Sequence, residues 1–333
     1  MQVKVSPIFD PWYYEFYLRG LIEYYGEGSV TFSYDKEFTD LIRFSNGKFA
    51  KDFFYYTVDN KSVLISAEDW TDVNEELYNC VDAYAKVNLT QLVLDQYPKL
   101  FPIGPGFGIR YHSLFGYSRH VLRLYSKAGI KNPYNRVFLV QSLKRSFPAV
   151  YEEEVDVKSN YIFYINYPWN KHTAITEGRR SIIQKLKQLA ERGEIEFEGG
   201  FSIGRMRGAH KGFEDTSATK TYNHGSYIHH LKQSTIAINT PAVHNCLGWK
   251  LGEYLALGKV ILSTPIDRVL PGDFRKGVHF HEFTDVNADF ESSVKLLLHD
   301  REYARDLAHH AKTYYDNYLK PVRVIERIHQ QLF

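Results

Sequence analysis

Apolar residues alternate at the start of the chain, where Val3, Val5 and Ile8 form a strand-like pattern that ends at Asp10-Pro11. From Trp12 to Tyr25 the spacing changes to that of a helix, with Tyr13, Phe16, Tyr17, Leu21 and Tyr24 on the apolar face and Gly26 as the stop. Further short strands are predicted at 30–33, 53–58, 63–66 and 83–87, and a helix over 68–80. The stretch 97–112 holds three glycines and three prolines and reads as a long loop, followed by a helix over 113–128. This alternation of strands and helices predicts a mostly parallel α/β layer. Pro148 and the acidic run Glu152-Glu153-Glu154 lie in a polar segment, 145–160, of the kind that separates domains.

The second half restarts the rhythm. An apolar strand at 161–167 precedes a helix over 177–192, whose stripe is Ile182, Ile183, Leu186, Leu189 and Ala190 and whose stop is Gly193. Strands follow at 195–197, 235–239, 260–263 and 278–281, helices at 226–233 and 247–257, and helix again from about 288 to the end. The expected organisation is therefore two domains, 1–155 and 156–333, each with an α/β rhythm of its own.

Composition narrows the function classes. The 333 residues are 44% hydrophobic and 24% charged, the balance of a globular chain. Mean hydropathy is −0.38, and no apolar run approaches the roughly 18 residues of a membrane span. The start, MQVKVSPIFDP, has no signal-peptide core, which leads to the expectation of a cytoplasmic protein. Forty-one Lys and Arg against 39 Asp and Glu give +2, too even for a dedicated nucleic-acid binder. Two cysteines, Cys80 and Cys246, cannot make a disulfide framework or a Cys-rich zinc site.

The richest stretch is 234–265, STIAINTPAVHNCLGWKLGEYLALGKVILSTP, read as strand, loop, helix, strand. Leu247, Leu251, Tyr254 and Leu255 form its buried stripe, while Lys250 and Glu253, three apart, share another face. Asn245 is read as the N-cap, and Gly248 as a point where backbone can approach a ligand. The N–H groups of such a helix start can hold a diphosphate, with Lys250 adding charge. The Glu253 carboxylate, an acceptor with two oxygens, suits two ribose hydroxyls.

The segment from Lys250 through Glu253 and Gly258 to Ser263 resembles the C-terminal nucleotide-sugar motif of GT-B glycosyltransferases, in which a Glu and a small or apolar stretch precede Ala-x-Gly-x-Pro-Val-Ile. Gly277-Val-His-Phe and the long C-terminal helices fit the same pattern. The resemblance implies two Rossmann-like domains facing a cleft, with Glu253 on the donor ribose and the turn from Asn245 to Gly248 facing the diphosphate. It departs from one large retaining group at Cys246, where that group carries a second glutamate, so stereochemistry stays open. The family's basic pair has several stand-ins here. Lys171 and Arg179-Arg180 follow the first strand of the second domain, and Arg205, Arg207 and Lys211 lie in a later loop; Arg205 and Lys211 are assigned to the leaving group.

In the first domain Asp10 ends a strand, Asp69 follows another in company with Glu68 and Asp72, and His112 closes the glycine-rich loop. His112, Asp10 and Asp69 are the candidates for acting on an acceptor, each with a bland alternative: capping for the acids, packing for the histidine. Gly104-x-Gly106-x-Gly108 lacks the strand and distal acid of a dinucleotide fingerprint. Glu154-Val-Asp156 has metal-pair spacing but no strand leading into it, and His279 with His281 lacks a third ligand, so no metal or other cofactor is expected. The expected activity is transfer of a hexosyl group from a nucleotide-diphosphate sugar to a hydroxyl of a glycan or lipid-linked acceptor. Arg110, Tyr111, Arg119 and Arg123 offer peripheral contact with a membrane or an anionic acceptor. A non-catalytic binding or scaffold subunit, or a nucleotide-sugar epimerase of the same fold, are the alternatives.

Overall fold

The computed structural model describes residues 1–33, 52–110, 144–169, 171–203 and 212–333, together with Lys36, Phe38, Asp40, Leu122 and Ser126. The chain is an α/β protein of two units, one comprising Met1–Pro148, Arg268–Gly272 and Asp316–Phe333, the other Ala149–Asp267 and Asp273–Tyr315.

The first unit carries a six-stranded sheet of order β2-β1-β3-β4-β5-β6. Its strands are β1 (Val3–Val5), β2 (Val30–Phe32), β3 (Phe54–Val58), β4 (Lys61–Ser66), β5 (Ala83–Lys86) and β6 (Leu100–Pro102). The sheet is mixed, where a mostly parallel layer was expected: β1 and β3 pair antiparallel, as do β3 and β4. Only Asp59 and Asn60 separate Val58 from its partner Lys61, and a parallel crossover needs a dozen residues or more. Asp59 turns the chain with φ 50°.

Helix α1 (Pro11–Tyr25) starts where Asp10 accepts the Trp12 N–H at 2.9 Å and proline occupies the first helical position. Helices α2 (Glu75–Asn79) and α3 (Gln91–Leu94) are short. The predicted helix over 68–80 is reduced to α2 because Asn74 caps it late, accepting the Leu77 N–H at 3.0 Å. Strand β6 lies inside the stretch read as loop; it is a three-residue edge strand, the position that tolerates Pro102.

In the second unit β7 (Tyr161–Asn166), β8 (Glu196–Phe201), β9 (Ile236–Asn239), β10 (Val260–Ser263) and β11 (His281–Glu282) form a parallel sheet of order β11-β10-β9-β7-β8. Every residue of β7 and β9 is buried, as expected for strands covered on both faces. The helices are α4 (Thr173–Glu191), α5 (His224–Gln233), α6 (Trp249–Ala256), α7 (Phe290–His299) and α8 (Arg301–Tyr314). The α4 stripe of Ile182, Ile183, Leu186 and Leu189 joins Phe290, Val294 and Leu297 of α7 in one core. Strand order reverses between β7 and β9, and such a switch point opens a crevice beyond the carboxyl ends of the two strands.

After α8 and a π turn at Tyr315–Leu319, α9 (Pro321–Leu332) returns to the first unit and packs on α1, so residues 316–333 belong with the N-terminal sheet. Gly20 permits this contact, because a Cβ there would overlap the Pro321 carbonyl. The Tyr25 hydroxyl also meets His329 Nδ1 at 3.0 Å. In an open helix interior alanine gains about 1 kcal/mol over glycine. At Gly20 the sign is expected to reverse: overpacking against rigid backbone costs about 1–3 kcal/mol or more. Gly20→Ala should therefore lower the urea midpoint, and a raised midpoint would show that α9 does not seat on α1 in this way.

Candidate functional site

The site grows from the ends of β7 and β9. Lys250, in the first turn of α6, directs its ammonium to the Ile165 carbonyl and to Asn166 Oδ1, the latter at 2.8 Å. Asn166 is 5% exposed and, among the described residues, its Nδ2 has no hydrogen-bond partner, an orphan donor inside a polar corner. Arg179, on α4 and 6% exposed, joins the two strand ends: Nη1 donates to the Tyr167 carbonyl at 3.2 Å, Nη2 to the Pro241 carbonyl at 3.0 Å and Nε to Thr240 Oγ1 at 3.3 Å.

Two cations thus share one corner. Burial, reinforced by the Arg179 charge and opposed by Glu253, pulls the Lys250 ammonium down to about 7. Burial also lowers the Arg179 guanidinium. Helix α6 has Gly248 at its cap position, with no capping side chain. Gly248 has φ −81°, and a Cβ on it would meet nothing nearer than Ala242 Cβ at 3.9 Å. The fold itself does not demand glycine there.

Glu253 is 3% exposed, and its oxygens accept hydroxyl hydrogen bonds from Tyr151 at 3.3 Å and Tyr227 at 2.8 Å. The carboxylate thus binds a pair of hydroxyls, and both belong to the protein. Asn245 is not the N-cap: it and His244 adopt φ 59° and 57°, the cap position falls three residues later at Gly248, and Asn245 Nδ2 donates to Asp267 at 2.6 Å. Two consecutive left-handed residues kink the chain before the helix can begin.

An apolar pocket of about 280 Å³ adjoins Arg179. Ala174, Ile175, Gly178 and Ile182 of α4 line it with Pro241 and Val286. Gly178 lies in the interior of α4, where glycine costs about 1 kcal/mol against alanine. A Cβ on Gly178 would meet no described atom within 4 Å.

In the first unit, Asp10 serves as the α1 cap and is buried. Asp69 is exposed, while its neighbour Glu68 lies 3.7 Å from the buried Lys86 ammonium and accepts the Ser66 hydroxyl at 3.1 Å. His112, Arg205 and Lys211 lie outside the described residues, as do Tyr111, Arg119, Arg123 and Arg207. Gly104 and Gly106 are packing glycines: a Cβ on the first would strike Leu319 at 2.5 Å, and one on the second would press on Phe16 at 3.2 Å. His281 is engaged with Tyr303 and Ser293, and His279 with Arg275. Among the described residues, no three His, Cys, Asp or Glu side chains are grouped to hold a metal ion. No described helix is long and apolar enough to cross a membrane.

Sequence reasoning named Lys250, Gly248 and Arg179 but missed Asn166. Asn166 is legible as the lone polar residue at the end of an apolar strand.

No protein-family model matches the chain. No curated protein matches it either. Solved structures do resemble it in fold. A glycosyltransferase from Rickettsia africae is 13% identical with a TM-score of 0.49, over 96% of this chain and 80% of that one. Anabaena HepE, in complex with UDP and glucose, is 12% identical with a TM-score of 0.46, over 78% and 64%. TarM of S. aureus is 10% identical with a TM-score of 0.45, over 80% and 48%. The chain thus spans about half to two thirds of the length of TarM and HepE in these matches.

Proposed function

We infer that this protein is a glycosyltransferase that moves a hexosyl group from a nucleotide-diphosphate sugar to a hydroxyl of a glycan or lipid-linked acceptor. The observation that carries the reading is the pairing of Lys250 and Arg179 at the switch point of a parallel sheet, next to an uncapped helix start at Gly248. Cleavage of a glycosyl–diphosphate bond builds negative charge on the leaving group, and fixed positive charge and N–H groups stabilise it. With those charges supplied by side chains, the reading requires no divalent cation. The Lys250–Glu253–Gly258 motif supports the same assignment, with Glu253 holding the α6 side of the site through Tyr151 and Tyr227. In the first unit, His112, Asp10 and Asp69 stay as proposals for the group that acts on the acceptor.

The test is thermal unfolding in the presence of UDP, GDP, CMP, ADP and their sugar conjugates, with EDTA throughout. A nucleotide at 100 times its Kd adds about 2.7 kcal/mol of stability. We expect a clear shift with one nucleotide class, lost in Lys250→Gln. Absence of a shift with every nucleotide would overturn the reading and favour a scaffold role.

A further inference from the structure

The pocket beside Arg179 is apolar in a place where a nucleotide-sugar site would be expected to be polar. Its walls are mainly the α4 residues Ala174, Ile175, Gly178 and Ile182, facing Pro241 and Val286, with Arg179, Thr240 and Thr264 completing the lining. An ordinary hexose carries a hydroxyl on nearly every carbon. A hydroxyl pressed on the apolar part of these walls would lose its water without a partner there, and the Thr240 hydroxyl oxygen beside it already accepts from Arg179. A nucleobase, with polar edges, would suffer in the same way. A methyl group would gain from burial.

Gly178 adds a second, independent observation. Glycine is disfavoured inside a helix, no described neighbour within 4 Å would oppose a side chain, and what its missing Cβ leaves is space in the pocket wall. The location ties this space to the anion corner. Arg179 lines the pocket while its guanidinium holds Thr240 and Pro241, and its charge is felt by Lys250.

We propose that this pocket receives a methyl-bearing substituent of the transferred sugar, the C6 methyl of a 6-deoxyhexose or the methyl of an N-acetyl group. The proposal rests on the reading of the second unit as a nucleotide-diphosphate-sugar site. It makes Gly178 a specificity-determining residue.

The experiment is calorimetric titration of the full chain with matched donors that share a nucleotide and ring configuration: UDP-glucose against UDP-N-acetylglucosamine, dTDP-glucose against dTDP-6-deoxyglucose, and GDP-mannose against GDP-6-deoxymannose, alongside UDP, dTDP and GDP alone. In the pair whose nucleotide binds, the methyl-bearing donor should bind about tenfold tighter or more, the scale of one methyl in a fitted pocket. Whether the N-acetyl or the 6-deoxy pair discriminates identifies the source of the methyl. Gly178→Val narrows the pocket at its exposed wall and should erase the preference. Gly178→Ala, which favours the helix and so folds at least as well, should reduce it. A nucleotide that binds while both donors of its pair bind equally overturns the proposal and leaves the nucleotide site standing. A preference that survives Gly178→Val also overturns it. Absence of binding by every nucleotide overturns the site reading beneath it as well.

Discussion

The Kd for a nucleoside diphosphate should rise about tenfold for each pH unit above 7, and binding at pH 8 should take up close to one proton. The cause is Lys250. Its ammonium has left bulk water for a corner that already holds Arg179, and it loses its proton near pH 7 although Glu253 pulls the other way. Below pH 7 the free protein carries the charge and affinity is flat. Above it, the anion must first restore the proton, and each pH unit makes that restoration about 1.4 kcal/mol harder. A phosphate monoester is largely ionised above a pH of about 6, so the slope belongs to the lysine and not to the ligand. Titration in buffers of different ionisation enthalpy gives both Kd and proton uptake. A Kd that stays constant from pH 6.5 to 9 would show that Lys250 is not the group that meets the anion. Lys250→Gln should lose most of the affinity and, with it, the slope.

The sequence made the second unit far more legible than the first, for physical reasons. A fully buried parallel strand such as 161–167 announces itself as an apolar run, and the α4 stripe repeats at helical spacing. The Lys250–Glu253 helix was placed correctly for the same reason. Its cap was not, because the left-handed pair His244-Asn245 carries no periodic signal. Nor could the partners of Glu253 be read locally: Tyr227 and Tyr151 lie 26 and 102 residues away. In the first unit the sheet's direction hinged on the two-residue turn at Asp59-Asn60, a length that admits only a hairpin. The return of α9 to α1 left one sequence trace, Gly20, which acquires meaning only once Pro321 lies against it.

Glu15 should make the protein lose stability between pH 5 and 8, and Glu15→Gln should remove that loss. The residue is 1% exposed, and among the described residues neither carboxyl oxygen has a hydrogen-bond partner. Burial raises it from 4.5 to about 8, with Arg110 opposing and Asp10 adding to the rise. The sign follows from linkage. An unfolded chain releases this proton near the ordinary carboxylate value, whereas the folded one keeps it until about pH 8. Over that window the native state binds one proton more than the unfolded state, so stability falls by about 1.4 kcal/mol per pH unit, or a few kcal/mol in all. Lys250 and Lys259, both drawn down to about 7 by burial, tilt stability the opposite way above pH 7. Both lysines are present in each protein and cancel in the comparison. Urea midpoints of wild type and Glu15→Gln at pH 5, 6, 7 and 8 should therefore diverge steadily, with the glutamine protein gaining on wild type as pH rises. Parallel curves would mean that Glu15 is already ionised in the fold, and that Arg110 rather than burial governs its proton.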